Sequence, residues 1–150
     1  MKRVILYVLT LITVLLVPVE RVDVGKLRPV QSVAVSGGDG TVVIETDTGD
    51  RGVGKDAQAA LEDLKRTTPA VIYLDTAEYL LVAKGMEEAV EHLRINLKET
   101  VALYHYLGTP RLADVTEYLE IHGGAPELKQ WREGLQLPIL DCREERIKIM

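Results

Sequence analysis

Residues 4–17 of this 150-residue chain, Val-Ile-Leu-Tyr-Val-Leu-Thr-Leu-Ile-Thr-Val-Leu-Leu-Val, carry no charge, whereas the rest has the composition of an ordinary soluble protein. A run of this kind has to leave water, into lipid or into a core, and so it limits every other choice the chain can make. Lys2 and Arg3 precede it and Pro18, Glu20 and Arg21 follow it, the layout of a bacterial-type secretory signal. At about 1.5 Å per residue the run makes roughly 21 Å of helix, short of a hydrocarbon core of about 30 Å. Its length favours a signal segment. Cleavage, however, needs small residues, and no Ala occurs before Ala34. Residues 1–19 are therefore expected to be a helical signal peptide or, given the missing cleavage site, a signal anchor. Residues 20–150 would then form a single domain on the extracytoplasmic side, secreted if the signal is cut.

The remaining chain is acidic. Lys2 and Arg3 against Glu20 leave residues 1–20 at +1, so residues 21–150 carry −6 of the total −5. With 23 acidic against 18 basic residues, nucleic-acid binding is disfavoured, and so is non-specific attraction to an anionic membrane. A hydrophobic content of 47% excludes a disordered chain, and 27% charged residues exclude a polytopic membrane protein. Cys142 is the only cysteine, so no internal disulfide can form and stability must come from packing.

β-Branched runs at 30–36 and 41–47, joined by Gly37-Gly38-Asp39-Gly40, predict a hairpin. A Gly-rich loop at 48–54 should lead into a helix over 55–66, with Ala57, Ala60, Leu61 and Leu64 on one face. Residues 70–74 suit a buried strand and 79–83 another. A second helix over 86–98 would bury Met86, Ala89, Val90, Leu93 and Leu97. A strand at 100–106 follows. Thr109-Pro110 then predicts a helix start, with Thr as N-cap, carrying Leu112, Val115 and Leu119 and ending at Gly123-Gly124. A short helix over 126–133 and a closing hairpin of 137–141 with 146–150 complete the expectation. The fold class is α/β (α+β): one domain with a mixed β-sheet flanked by helices.

The motif closest to chemistry is Gly49-Asp-Arg-Gly-Val-Gly54-Lys55-Asp56, which has the spacing of a phosphate-binding loop between a strand and a helix. Asp56 stands where a hydroxyl should hold magnesium, and Asp50 would put a carboxylate among the phosphates, so a flexible turn is the better reading. Glu45, Asp47, Asp50 and Asp56 lack the pattern of a calcium loop and suit a solvated acidic turn. His92, His105 and His122 have no zinc spacing, and His122 suits a helix C-terminus. Ser32, Ser36 and Cys142 sit in no nucleophile motif. The six tyrosines and Trp131 suit core and rim positions. No catalytic residue, cofactor or metal site is expected. If the chain binds a small ligand or cation, the residues would be Asp47, Asp50, Arg51, Gly52, Gly54 and Lys55 of the acidic Gly-rich loop 47–56.

Three stretches carry a family likeness. They are Glu20-Arg-Val-Asp-Val-Gly-Lys-Leu-Arg-Pro-Val-Gln-Ser-Val-Ala-Val-Ser, then Gly52-Val-Gly54-Lys-Asp-Ala57-Gln-Ala-Ala60-Leu61, then Ala70-Val-Ile-Tyr-Leu-Asp-Thr-Ala-Glu-Tyr-Leu-Leu-Val-Ala-Lys-Gly-Met. In order and pattern, residues 23–118 resemble the N-terminal domain of the Ger(x)C family, the C-type lipoprotein subunits of spore-germination receptors. The likeness implies a Gly-x-Gly turn into a small-residue-faced helix, with no nucleotide. It also implies a non-enzymatic accessory or scaffold role in germination or sporulation, with a membrane and other membrane or spore-receptor proteins as partners. The family's lipid-bearing cysteine and further domains have no counterpart here, so the apolar N-terminus would replace the lipid anchor.

Overall fold

The computed structural model describes residues 24–143 and 147–150. The apolar run 4–17 and its expected helix lie outside them, as does Arg146 of the closing hairpin. Among the described residues no helix is long and apolar enough to cross a membrane.

Seven strands form one mixed sheet. Strand β1 (Leu27–Pro29) stands apart; β2 (Ser32–Gly38) and β3 (Thr41–Thr46) form the first hairpin, and β4 (Arg51–Gly54) extends it. Helix α1 (Ala57–Thr67) follows, then β5 (Val71–Tyr73), β6 (Tyr79–Ala83), α2 (Glu88–Leu93), β7 (Ala102–Gly108), α3 (Leu112–His122), β8 (Ile139–Cys142) and β9 (Lys148–Ile149). The order across the sheet is β4-β3-β2-β6-β7-β8-β9. Its centre, β2-β6-β7-β8, is parallel, with the antiparallel β3 and β4 on one flank and β9 on the other. Parallel central strands must be covered on both faces, which is why 79–83 is a continuous apolar run.

Strand alternation sorts the core into two layers. Val33, Val35, Ile44, Leu80, Val82 and Leu103 face α1 and α2, against Ala57, Ala60, Leu61, Leu64, Ala89, Val90 and Leu93. Ala34, Leu81, Tyr104, Tyr106 and Leu140 face α3, against Leu112, Val115 and Leu119. Each fully buried Val or Leu contributes about 1.5–3 kcal/mol. After α3 the chain passes the amino end of β7, where Leu103 N–H donates to Pro126 O and Leu128 N–H to Val101 O. Leu128, Trp131 and Leu137 then fill the first layer. Between sheet and α3, the buried Ser32 hydroxyl lies 2.5 Å from that of Thr116, which itself donates to Leu112 O.

The single mixed-sheet domain matches the expectation; several elements do not. The 48–54 stretch is no loop, because Arg51–Gly54 is a strand paired to β3, Glu45 opposite Arg51 and Val42 opposite Gly54. The first turn is tighter than expected: Gly37 and Gly38 belong to β2, and only Asp39 (φ 53°) and Gly40 (φ 76°) make the two-residue reversal. The expected buried strand at 70–74 shrinks to Val71–Tyr73 and leaves the main sheet, pairing with β1 in a parallel two-stranded ribbon. The second helix spans only Glu88–Leu93; the chain turns at Arg94–Asn96, leaving Ile95 out and bringing Leu97 back to the core. Helix α3 starts later than Thr109-Pro110: β7 ends at Gly108, whose φ of 92° turns the chain, and Arg111 is still extended and serves as the N-cap, so the first helical residue is Leu112. The helix expected over 126–133 is one 3₁₀ turn, Leu128–Gln130, closed by a reciprocal Glu127–Gln130 capping box.

Candidate functional site

Residues 47–56 divide into three pieces with different surroundings. The first is the β3–β4 turn, closed by Thr46 N–H to Asp50 O and Gly49 N–H to Thr46 O, with Gly49 at φ 83°. Asp47 accepts from the Gln31 amide at 3.2 Å. Both Asp50 oxygens accept from Arg28 Nη1, at 3.0 and 3.1 Å, and one also accepts from Thr48 Oγ1 at 2.7 Å. Burial pushes the Asp50 carboxyl up, but the Thr48 hydroxyl and the Arg28 guanidinium outweigh it and hold the group below the usual carboxylate range.

The second piece is β4, whose glycines are explained by packing. A Cβ on Gly52 would sit 2.1 Å from Ala60 O and 2.5 Å from Leu64 N; on Gly54 it would sit 2.3 Å from Ala60 N. The strand lies flush on α1 because neither residue has a side chain. Arg51 pairs with Glu45 across the ladder at 3.4 Å. The outward Val53 N–H donates to Asp63 of α1 at 3.0 Å, which closes this sheet edge to further pairing. In the third piece, Asp56 caps α1, accepting from Ala59 N–H at 2.8 Å, while Lys55 points outward.

The six residues expected to act together are thus not gathered. Asp47, Asp50 and Arg51 border a cleft of about 360 Å³ whose far wall is Pro110, Arg111 and Leu112 at the start of α3. Lys55 borders another, of about 390 Å³, with the Asp39-Gly40 turn, Met86, Glu88 and His92. Gly52 and Gly54 line neither.

A third cleft, about 520 Å³ among the described residues, lies at the carboxyl ends of β7 and β8, between Thr109–Arg111, Asp114, Cys142 and Arg143. Beside it, α2 and α3 leave adjacent parallel strands on opposite faces, an arrangement that opens a crevice in α/β sheets. Residue spacing did not disclose it, because Thr109-Pro110 looked like a helix cap rather than a cleft wall. Its chemistry is muted. Burial, and secondarily Asp141, push the Cys142 thiol up, so it stays protonated at neutral pH. Asp141 is held down to about 2 by Arg143, whose side chain and amide it accepts from. Nearby, Tyr106 is pushed up chiefly by burial, against a hydrogen bond with Ser36. On the opposite face His105 Nδ1 donates to Val82 O at 3.1 Å and its Nε2 lies 3.6 Å from Glu87. His122 ends α3, its ring 4.7 Å from that of Tyr118. Among the described residues no three His, Cys, Asp or Glu side chains converge to hold a metal ion.

No protein-family model, curated protein or solved structure matches this chain.

Proposed function

We propose that this chain is a membrane-anchored extracytoplasmic domain acting through contacts with other proteins rather than through chemistry, an accessory or scaffold protein of the germination or sporulation kind to which the Ger(x)C likeness points. The observation that carries the reading is the use made of residues 47–56. The stretch with the strongest chemical look supplies a strand, a helix cap and an ion pair, and its glycines make room for α1. Anchoring is supported by the uncharged run 4–17 behind Lys2 and Arg3. The alternative, a secreted small-ligand or cation-binding module built on the same stretch, is weakened because Asp47, Asp50 and Asp56 already accept from Gln31, Arg28 with Thr48, and Ala59.

The test is membrane fractionation of the full chain with alkaline carbonate extraction, combined with protease access from the outer side. Retention in the membrane and digestion from outside are the expected results; a soluble protein starting near Val19 or Glu20 would overturn anchoring. Calorimetric titration with calcium and with nucleoside triphosphates should give no heat. Heat abolished by Asp50→Asn would restore the ligand-binding alternative.

A further inference from the structure

The β1–β5 ribbon has one face turned inward and one turned out. Arg28 and Ile72 are register partners; Ile72 is buried in the core and Arg28 reaches Asp50. Leu27 stands opposite Val71 and Pro29 opposite Tyr73, so these four share the outer face. Val71 is 48% exposed and Tyr73 41%, and Pro29 is exposed as well. A folded domain would ordinarily turn such a face toward its sheet. Here it is presented at the place where the chain arrives from the apolar run.

We propose that this face rests on the lipid surface, so that the domain is held against the membrane in one orientation rather than swinging on its anchor. The inference depends on the anchoring reading of residues 1–19. Even at full stretch, the residues between Val19 and the 3₁₀ turn Val24–Lys26 can hold Leu27 no more than about 24 Å from Val19. The ribbon therefore cannot be far from the interface once the run is in the bilayer. Its chemistry suits that depth: three aliphatic side chains and a tyrosine, the ring that favours the headgroup level, with exposed Lys26 and Asp75 close by in sequence at the ends of the two strands. The domain's net −6 makes the contact apolar rather than electrostatic. Folding the run 4–17 back onto the ribbon would be a poorer solution, because a four-residue face covers only a small part of a 14-residue apolar segment, whereas a bilayer covers both.

The experiment uses the full chain with Cys142→Ser, an environment-sensitive fluorophore on Val71→Cys or Tyr73→Cys, and controls on Ile95→Cys and Ile121→Cys, which are 88% and 74% exposed and far from the ribbon in sequence. The protein is reconstituted in equimolar phosphatidylcholine and phosphatidylglycerol vesicles, with and without lipids carrying a quencher at the acyl boundary. Flotation with the vesicles, a blue shift and quenching at 71 and 73, insensitivity to salt, and neither shift nor quenching at 95 and 121 are expected. Flotation with no quenching at 71 and 73 would overturn the ribbon's role while leaving the anchor intact. Failure to float would overturn the anchor and the ribbon contact together. A blue shift without quenching would mean that a protein surface covers the ribbon, and would also overturn the proposal.

Discussion

Replacing Gly52 by alanine separates a packing role for the Gly-x-Gly stretch from a ligand-binding one. Gly52 has no positive φ, so alanine meets no backbone strain; its cost is steric alone. The added methyl would lie 2.1 Å from Ala60 O, 2.5 Å from Leu64 N and 2.6 Å from Leu64 Cβ. Two of these three atoms belong to the backbone of α1, which cannot rotate aside, so the helix must lift from β4 or the strand must leave the ladder. Overpacking costs typically 1–3 kcal/mol, and with rigid atoms as the obstacle we expect the upper end, about 3 kcal/mol. In a domain of this size that is a fall in Tm of about 10 °C. Urea titration of the full chain in mild detergent reports it through Trp131, which is buried in the layer that α1 covers. Gly38→Ala is the control, since its Cβ would meet nothing within 4 Å and its φ is not positive; it should shift stability by less than about 0.5 kcal/mol. If Gly52→Ala unfolds at the same urea concentration as the parent, the strand–helix contact is not what demands glycine here. Rescue by Leu64→Ala would equally count against the reasoning, because the nearest atom is a backbone oxygen.

Asp50→Asn should cost about 2 kcal/mol at neutral pH, the scale of a charge-assisted hydrogen bond. The Asp50 carboxyl titrates lower in the folded chain than in the unfolded one, so its contribution is full above about pH 4 and is lost as pH falls through the folded value. The variant's stability should therefore decline less between pH 5 and pH 2, and equal slopes would contradict the assignment. Thr116→Val leaves the Ser32 hydroxyl buried without its acceptor and should cost about 1–3 kcal/mol, while Ser32→Ala with Thr116→Val should cost less than the two single changes summed, as a double-mutant cycle in urea would reveal. Asp56→Ala removes the cap of α1 and should cost about 1 kcal/mol, seen as a lower urea midpoint with unchanged slope.

The elements legible in the sequence are those whose signal is local. The faces of α1 and α3 followed from i, i+3, i+4, i+7 spacing, and β6 followed from an uninterrupted apolar run between turn residues. What misled were places where tertiary contact decides. Glycines at 52 and 54 signal a loop by propensity, yet they form a strand because α1 presses against them and β3 supplies hydrogen-bond partners. Residues 71–73 have the apolar, β-branched look of a central strand, but centrality depends on which neighbour is free. β2 pairs with β6, so β5 is left with β1, a segment whose three residues gave no strand signal alone.

The same logic explains why a stretch with a phosphate-loop spacing has its residues divided among a turn, a strand and a helix cap. A G-x-x-x-x-G-K spacing identifies glycines that must be glycines and leaves open what presses on them. In a phosphate loop that is a ligand, so the backbone amides stay unpaired and point into a shared hollow. Here the pressing group is a helix. The amide of Gly49 donates to Thr46 O, that of Val53 to Asp63, and Gly52 and Gly54 sit opposite Ile44 and Val42 in the ladder. Asp50, which looked misplaced in a phosphate loop, has its cation within the chain, since Arg28 arrives from the strand that follows the N-terminal segment. That ion pair joins the ribbon to the β3–β4 turn, so a force applied to the ribbon at a membrane would reach the main sheet through Arg28 and Asp50 as well as through Ile72. Weakening it by Asp50→Asn should therefore loosen the ribbon's orientation on vesicles and reduce quenching at Val71 without affecting flotation. Unchanged quenching would show that Ile72 alone holds the ribbon in place.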